Sequence, residues 1–506
     1  MNVVKCWIGS RLPLLIVGCL ASAQAPAQNP ALPTIPANTF YITNYGAIGD
    51  GVFTNTTPIQ NAINAANTAG GGTVRVTAGN FLCGPLTFVN NLNLQLDAGA
   101  TLTLLPYGQY PTYPYPDPDV GSVTPFINAS SLHDVEISGT GVIEGQGLPW
   151  WNAYQTNARP TMVNFSACTR VLIQDITCSN SPQPFLVVKG KAGNVTIQRV
   201  KIYAPSSGAS PPSHNTDAID LAETNAVIRD CTISTGDDNL AVGSSASASY
   251  DILVTNCVFG AGHGCSIGSY TSGGVSNLTV INCSFNGTDN GIRLKSQQGR
   301  GGIVQNCNYY NLTMTNVDWP FLIYSYYEYG LGTLTPLNLQ AVDNIALTNT
   351  PTFDKTPVWR NISFSNIVAT VPSGRPPLMI WGRPESPASN IVFRAVNLIS
   401  SSTLVPGLYG VTNLIFENCT FNLPSSIYTL QLYDAQFSVT NSALVTNLIK
   451  LDGLTTNGAV NSLALYNARA AVTKTNAIAS APLALANSLL NVTNHFAPPH
   501  ATPFNF

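Results

Sequence analysis

Two aspartates stand side by side in CTISTGDDNLAVGS, residues 231–244, between apolar, β-prone flanks. Neighbouring side chains of a regular strand point to opposite faces, so one of Asp237 and Asp238 would be driven inward, where an unpaired charge is costly. Only 9% of the residues are charged, against about 25% in an ordinary chain, so acids placed here need a reason. Three other segments supply companions. Asp217, in HNTDAID, lies 21 residues before Asp238, and His263, in GHGCSIGS, lies 25 after it. Arg293 and Lys295, in NGIRLKS, follow His263 by 30 and 32 residues. Taken singly, an Asp beside Asn and Thr is a turn residue, a His between glycines a loop residue, and R-x-K a solvated strand face. Taken together they can hydrolyse a glycosidic bond, which needs one protonated acid for the leaving oxygen and a second carboxylate for water or as nucleophile. Crowded acids raise one another's pKa and keep one of them protonated. Arg293 and Lys295 supply the fork and the point charge that grip a substrate carboxylate. The substrate implied is an anionic sugar polymer.

For these groups to meet, the chain must return to one place at each of those intervals, and a repeat does so. VLIQDITC from Val171, VTIQRVKI from Val195, VIRDCTI from Val227, ILVTNCVF from Ile252 and LTVINCSF from Leu278 align by eye. LTMTNVD from Leu312, ISFSNIV from Ile362, IVFRAVN from Ile391 and LIFENCTF from Leu414 continue the series. Successive starts lie 24, 32, 25, 26, 34, 50, 29 and 23 residues apart, and many segments carry Asn before the second apolar pair. A period in the twenties with stretched members predicts an all-β fold, a parallel β-helix with one coil per repeat, whereas a propeller blade takes about 40 residues. Neighbouring coils then lie about 4.8 Å apart, and the three acids, His263, Arg293 and Lys295 line one groove. Cys231, Cys257 and Cys283 recur every 26 residues, which predicts an interior ladder of buried thiols. Upstream, Asn55 or Thr57 is placed to cap a helix over about Pro58–Ala66, ended by the Gly70–Gly72 run, as a lid over the open end of the solenoid. Residues 26–38 read as a Pro/Ala linker and 39–445 as the β-helix domain. From 446 to 506 the repeat fades.

The rest of the composition narrows the classes. The chain has 506 residues, is 44% hydrophobic and contains 41 Gly and 35 Pro, which suits many short strands and turns and excludes a disordered chain. A formal net charge of −3 argues against a nucleic-acid binder that relies on positive charge. Lys5 and Arg11 with LPLLIVGCLASA read as a secretory signal over residues 1–25, with cleavage after Ala23 or Ala25; IVGC at Cys19 offers a lipoprotein alternative. No other stretch reaches the length of a membrane helix. Nine of the 11 cysteines lie beyond this segment, an odd number that leaves at least one free thiol. No Cys or His pattern marks a metal site. Asn-x-Ser/Thr sequons such as Asn282 and Asn311 recur, as expected of an Asn- and Thr-rich β-helix.

NTDAID, GDDNLAVGS, GHGCSIGS and RLKS, in this order and spacing, resemble the four signature segments of glycoside hydrolase family 28, the polygalacturonases and their relatives. GTGVIEGQGLPWW, ending at Trp150 and Trp151, is similar to a further family segment, and the resemblance spans roughly residues 40–430. It implies a right-handed parallel β-helix and hydrolysis of α-1,4-galacturonan with inversion, by a monomer without metal or cofactor. By motif, Asp237 would be the general acid, Asp217 and Asp238 would hold and activate water, and His263 would support the protonation of the acid. Arg293 and Lys295 would bind the galacturonate carboxylate and Asn215 would contact the substrate. In WPFLIYSYYEYG, Tyr327 matches the sugar-stacking tyrosine better than Tyr326. Ala218 replaces the usual glycine of the first motif, and Asn239 stands where many relatives have Cys, which removes a disulfide from this loop. Rhamnogalacturonan or xylogalacturonan cleavage, a calcium-dependent lyase and a non-catalytic carbohydrate-binding β-helix are the alternatives. Insertions such as residues 107–120 would wall the groove for exo action.

Overall fold

The structure, a computed structural model, describes residues 29–111, 123–154, 158–190, 193–330, 355–402 and 407–422 in full, and backbone strands within 429–494. The expected signal segment and most of the 107–120 insertion lie outside the described residues. From Thr39–Tyr41 to Leu489–Asn494 the strands pair in parallel, and through the centre each strand pairs with the third one after it. A coil therefore has three faces, and the fold is the parallel β-helix. Period-2 alternation drives the assembly: in Val163–Ser166 or Leu186–Lys189 alternate residues are buried, stacking apolar side chains inside while the others face outward.

The corners explain the recurrent Asn. Asn256, Asn282, Asn311 and Asn366 all have φ between 50° and 56°, the left-handed conformation that Asn tolerates better than most residues. Their amides also stack: Asn311 donates to Asn282 at 3.2 Å and Asn366 to Asn311 at 2.7 Å. The sequons at Asn282 and Asn311 are thus rungs of a corner ladder. Inside, Cys231, Cys257 and Cys283 are buried in phase as thiols, and the other six described cysteines are buried as well. Ring stacking replaces sulfur further along, with Tyr309, Phe364, Phe393 and Phe416 following one another at 5.2, 4.6 and 5.2 Å.

The register corrects the repeat alignment in two places. Val195 pairs with Ala226, not Val227, and Leu278 pairs with Cys307, not Leu312. Leu312 pairs with Ile367 on the following face of the same coil. The confusion has a physical cause: Asn306 and Asn311 both occupy left-handed corners, so the segments after them look alike.

The helix Thr56–Thr68 buries Ile59, Ala62, Ile63 and Ala66, a single stripe. Asn55 holds the N-cap position without capping. Its side chain is spent on the preceding loop, accepting from Ile48 N at 2.7 Å and donating to Ile48 O and Phe53 O; Thr57 lies within the helix. Near the N-terminus, Ala31 N donates to Asn194 Oδ1 and Thr34 N to Asp134 Oδ1, laying this segment along the solenoid. Beyond residue 445 the strands continue in parallel, Leu489–Asn494 on Arg469–Lys474 among them.

Candidate active site

Four successive coils carry the groups singled out above. Asp217 precedes the strand Ile219–Ala222, Asp237 and Asp238 precede Leu240–Val242, and His263 precedes Cys265–Ile267. Arg293 and Lys295 lie on Asn290–Lys295. Backbone bonds fix the stacking: Ala218 N donates to Asp238 O at 2.8 Å and His263 N to Asp237 O at 2.9 Å, while Ser266 pairs with Arg293. Gly236 and Asp237 form a bend between the strands Thr232–Ser234 and Leu240–Val242. The strict strand alternation is broken there, and both carboxylates reach one cavity of about 240 Å³. Asp217, Asn215, Lys295 and Tyr327 line the same cavity.

Asp238 is nearly sealed, with 2% of its side chain exposed, and three donors satisfy it. Lys295 Nζ lies 2.8 Å from Oδ2, and Arg293 and Ser266 Oγ lie 3.3 and 2.6 Å from Oδ1. This is the compensation that a buried carboxylate requires. Asp237 Oδ1 accepts from the Asp238 backbone N at 2.8 Å and faces His263 Nδ1 at 3.1 Å. On its other side the imidazole meets Asp289, with Nε2 to Oδ2 at 3.2 Å, and Ser207 Oγ donates to that same oxygen.

The electrostatics follow from these contacts. Burial lowers the His263 pKa, but hydrogen bonds to Asp237 and Asp289 outweigh it and raise the imidazole to about 9. Burial pushes the Asp237 carboxyl up; the imidazolium, with Lys295 and Arg293, overcomes it and holds this acid below the ordinary carboxylate range. Asp217 has no such partner. Burial and the charges of Asp237, Asp220 and Asp238 push it well above the ordinary value. His263 and Asp217 thus hold a proton more tightly than usual, and Asp237 less tightly.

Of the two candidate tyrosines, Tyr326 is fully buried, its hydroxyl donating to Gly382 O. Tyr327 opens on the cavity with its ring centroid 5.4 Å from Lys295 Nζ. Asn215 Oδ1 accepts from buried Arg159 at 2.7 Å. Ala218 keeps a backbone angle outside the left-handed region, so the residue fits without strain. Asn239 clamps its loop to the one carrying His263, donating to Ala261 O at 2.9 Å and accepting from Gly264 N at 2.8 Å. Gly268 on the groove floor has φ +99°, and a Cβ there would meet Lys295 O at 1.9 Å, so only glycine fits. Trp150 and Trp151 are buried, away from the cavity lining.

Sequence reasoning missed Asp289, Ser266, Ser207, Asp220 and Lys189. Asp289 immediately precedes NGIRLKS and Asp220 sits inside HNTDAID, so the charge scarcity that exposed the other acids applied to both. Lys189 belongs to no motif, and only the outward phase of its strand marks it.

Asp237, Asp238 and His263 each place one donor atom within 4.8 Å of the others. Lys295 and Arg293 already balance the carboxylate charge there. The arrangement can give a proton at one edge of a cavity, hold water between carboxylates and bind an anion with fixed cations.

The family model for glycosyl hydrolases family 28 matches residues 73–414. A probable polygalacturonase of Arabidopsis thaliana is 33% identical over 301 residues, 58% of this chain and 62% of that protein. An endo-polygalacturonase of Pectobacterium carotovorum subsp. carotovorum is 32% identical over 309 residues, 56% of this chain and 75% of the relative. The match thus takes in less than two thirds of the Arabidopsis protein. The exopolygalacturonase of Thermotoga maritima shares the fold, with a TM-score of 0.61 at 22% identity over 79% of this chain and 94% of that one.

Proposed function

The chain belongs to glycosyl hydrolases family 28, and from that membership we propose that it cleaves α-1,4-galacturonosyl linkages of polygalacturonate by an inverting acid/base mechanism. The observation that carries the reading is the shared cavity. Asp217, Asp237 and Asp238 face a sugar-sized space whose wall presents Lys295, backed by Arg293, with His263 behind Asp237. Neutral sugars give such buried cations nothing to bind, whereas galacturonate brings a carboxylate to every ring.

In the proposed reaction Asp237 gives its proton to the glycosidic oxygen as the bond from that oxygen to the anomeric carbon breaks. Water held by Asp217 and Asp238 attacks the same carbon from the opposite face and passes its proton to a carboxylate. Asp237 is ionised in the free site, so its proton arrives through the 3.1 Å contact with His263. A galacturonate carboxylate seated on Arg293 and Lys295 offsets two of the charges that depress Asp237 and thereby favours that transfer. Tyr327 stacks beneath the sugar and Asn215 orients it. We place the enzyme outside the cytoplasm, as a monomer, where the polymer lies. Among the described residues no helix is long and apolar enough to cross a membrane.

The test is release of reducing ends from polygalacturonate, with products sized over time and their anomeric configuration read by NMR. We expect saturated products of inverted configuration, unaffected by a chelator. An unsaturated, ultraviolet-absorbing product that disappears on chelation would make the chain a lyase. Cleavage of rhamnogalacturonan or xylogalacturonan alone would move the substrate within the family. A ladder of oligomers means endo action, and monomer or dimer alone means exo action.

A further inference from the structure

One lysine on the groove takes no part in that chemistry. Lys189 ends the strand Leu186–Lys189; its ammonium lies 2.9 Å from Asp220 Oδ2, and 42% of the lysine side chain is exposed. A half-exposed pair of this kind contributes little to stability. Yet Lys189 and Asp220 line the same cavity as Asp217, Asp237 and Lys295.

The ladder register shows how the lysine comes to be there. Lys189 pairs with Ala222, and Leu221, Val242, Ile267 and Leu294 follow one another on successive coils. The next outward column is therefore Lys189, Ala222, Gly243, Gly268 and Lys295. Two lysines stand in one column four coils apart, about 19 Å at the usual strand spacing. The three residues between them carry a methyl group at most; Gly243 and Gly268 line the cavity and Ala222 is buried. The coils of Asp217 and of Asp237 and Asp238 fall between the two lysines.

Each lysine is held by a carboxylate, Lys295 in a nearly sealed pair and Lys189 in a half-exposed one. Lys295 is held by Asp238 at 2.8 Å and Lys189 by Asp220 at 2.9 Å, and each ammonium keeps further N–H donors for a ligand. Among the described residues lining the cavity these are the two cations, against Asp217, Asp220, Asp237 and Asp238. With Lys295 alone, the far flank would be wholly acidic and would repel a polyanion.

We propose that Lys189, pinned by Asp220, forms a second carboxylate-binding subsite on the flank of the cleavage point opposite Lys295. Its ligand is a uronate oligomer long enough to span both lysines. The proposal rests on the galacturonan reading of the groove and deepens it: sugars on both sides of the scissile bond are recognised by charge.

The test titrates a galacturonate octamer calorimetrically into the chain carrying Asp237→Asn, which binds without turning over. The same titration is run with Lys189→Gln or Lys189→Arg added. Lys189→Gln is expected to weaken binding about tenfold, the size of one charge-assisted contact. Lys189→Arg should restore affinity to within about threefold, and the difference should shrink in high salt. A change of less than about threefold for Lys189→Gln overturns the subsite and leaves the galacturonan reading intact. A loss that Lys189→Arg fails to rescue also overturns it, because the lysine is then a structural prop. If no variant binds the octamer and the unmutated chain releases nothing from polygalacturonate, the reading of the groove falls and takes the subsite with it.

Discussion

Asp237 and Asp217 carry opposite electrostatic burdens, and the difference decides where the site keeps its protons. Both are buried carboxyls, but Asp237 faces an imidazolium while Asp217 faces other acids. The sequence reading expected crowding to leave one acid protonated, and it assigned the donor role to Asp237. In the free site crowding acts on Asp217, and the proton destined for Asp237 is stored on His263. The consequence for pH is specific. His263 holds its proton up to about 9, so the pair it forms with Asp237 can supply the leaving group below that value and loses the ability as pH rises through it. His263→Gln removes that store, and the remaining proton must sit on a carboxyl. The alkaline limb of kcat/KM should then move to lower pH, and kcat should fall about 10²-fold or more. A pH–rate profile whose alkaline limb stays in place would refute the storage role.

At the scale of elements, the loops just before three strands hold the chemistry, and side-chain clamps hold the loops. Asn239 is the clearest case: where many relatives were expected to have Cys, its amide bonds both Ala261 O and Gly264 N, on either side of His263. Asn239→Ala leaves Gly264 N without its acceptor, while Ala261 O keeps the Thr235 N–H, at a cost of about 1–3 kcal/mol. Denaturant titration should show that loss. Steady-state kinetics should show kcat falling more than KM rises, because the displaced group is His263 and not the cation pair. Unchanged kcat with lowered stability would confine the clamp to a structural role. The motif spelled out the acids, but the clamp was legible only as a missing cysteine; what replaces a disulfide depends on which backbone groups the neighbouring coil presents.

Across the whole molecule, stability is a sum over neighbouring coils, so damage away from the groove should leave the chemistry standing. Phe393 stacks between Phe364 and Phe416 at 4.6 and 5.2 Å and lies outside the site. Phe393→Ala should cost about 3–5 kcal/mol, read as a lower thermal midpoint, while kcat/KM at moderate temperature stays within about twofold; loss of activity in fully folded protein would contradict this modularity. The coil period, the inward alternation, the recurrence of Asn and the common phase of the six polar groups were readable in the sequence, because each depends on local propensity or on phase within a repeat. Tertiary structure alone decided the rest. Register separated Cys307 from Leu312, and proximity brought Asp289 to His263 and Lys189 into the column of Lys295. A one-dimensional repeat determines which face a residue takes, but its neighbours across coils and the water left to it depend on loop lengths and packing.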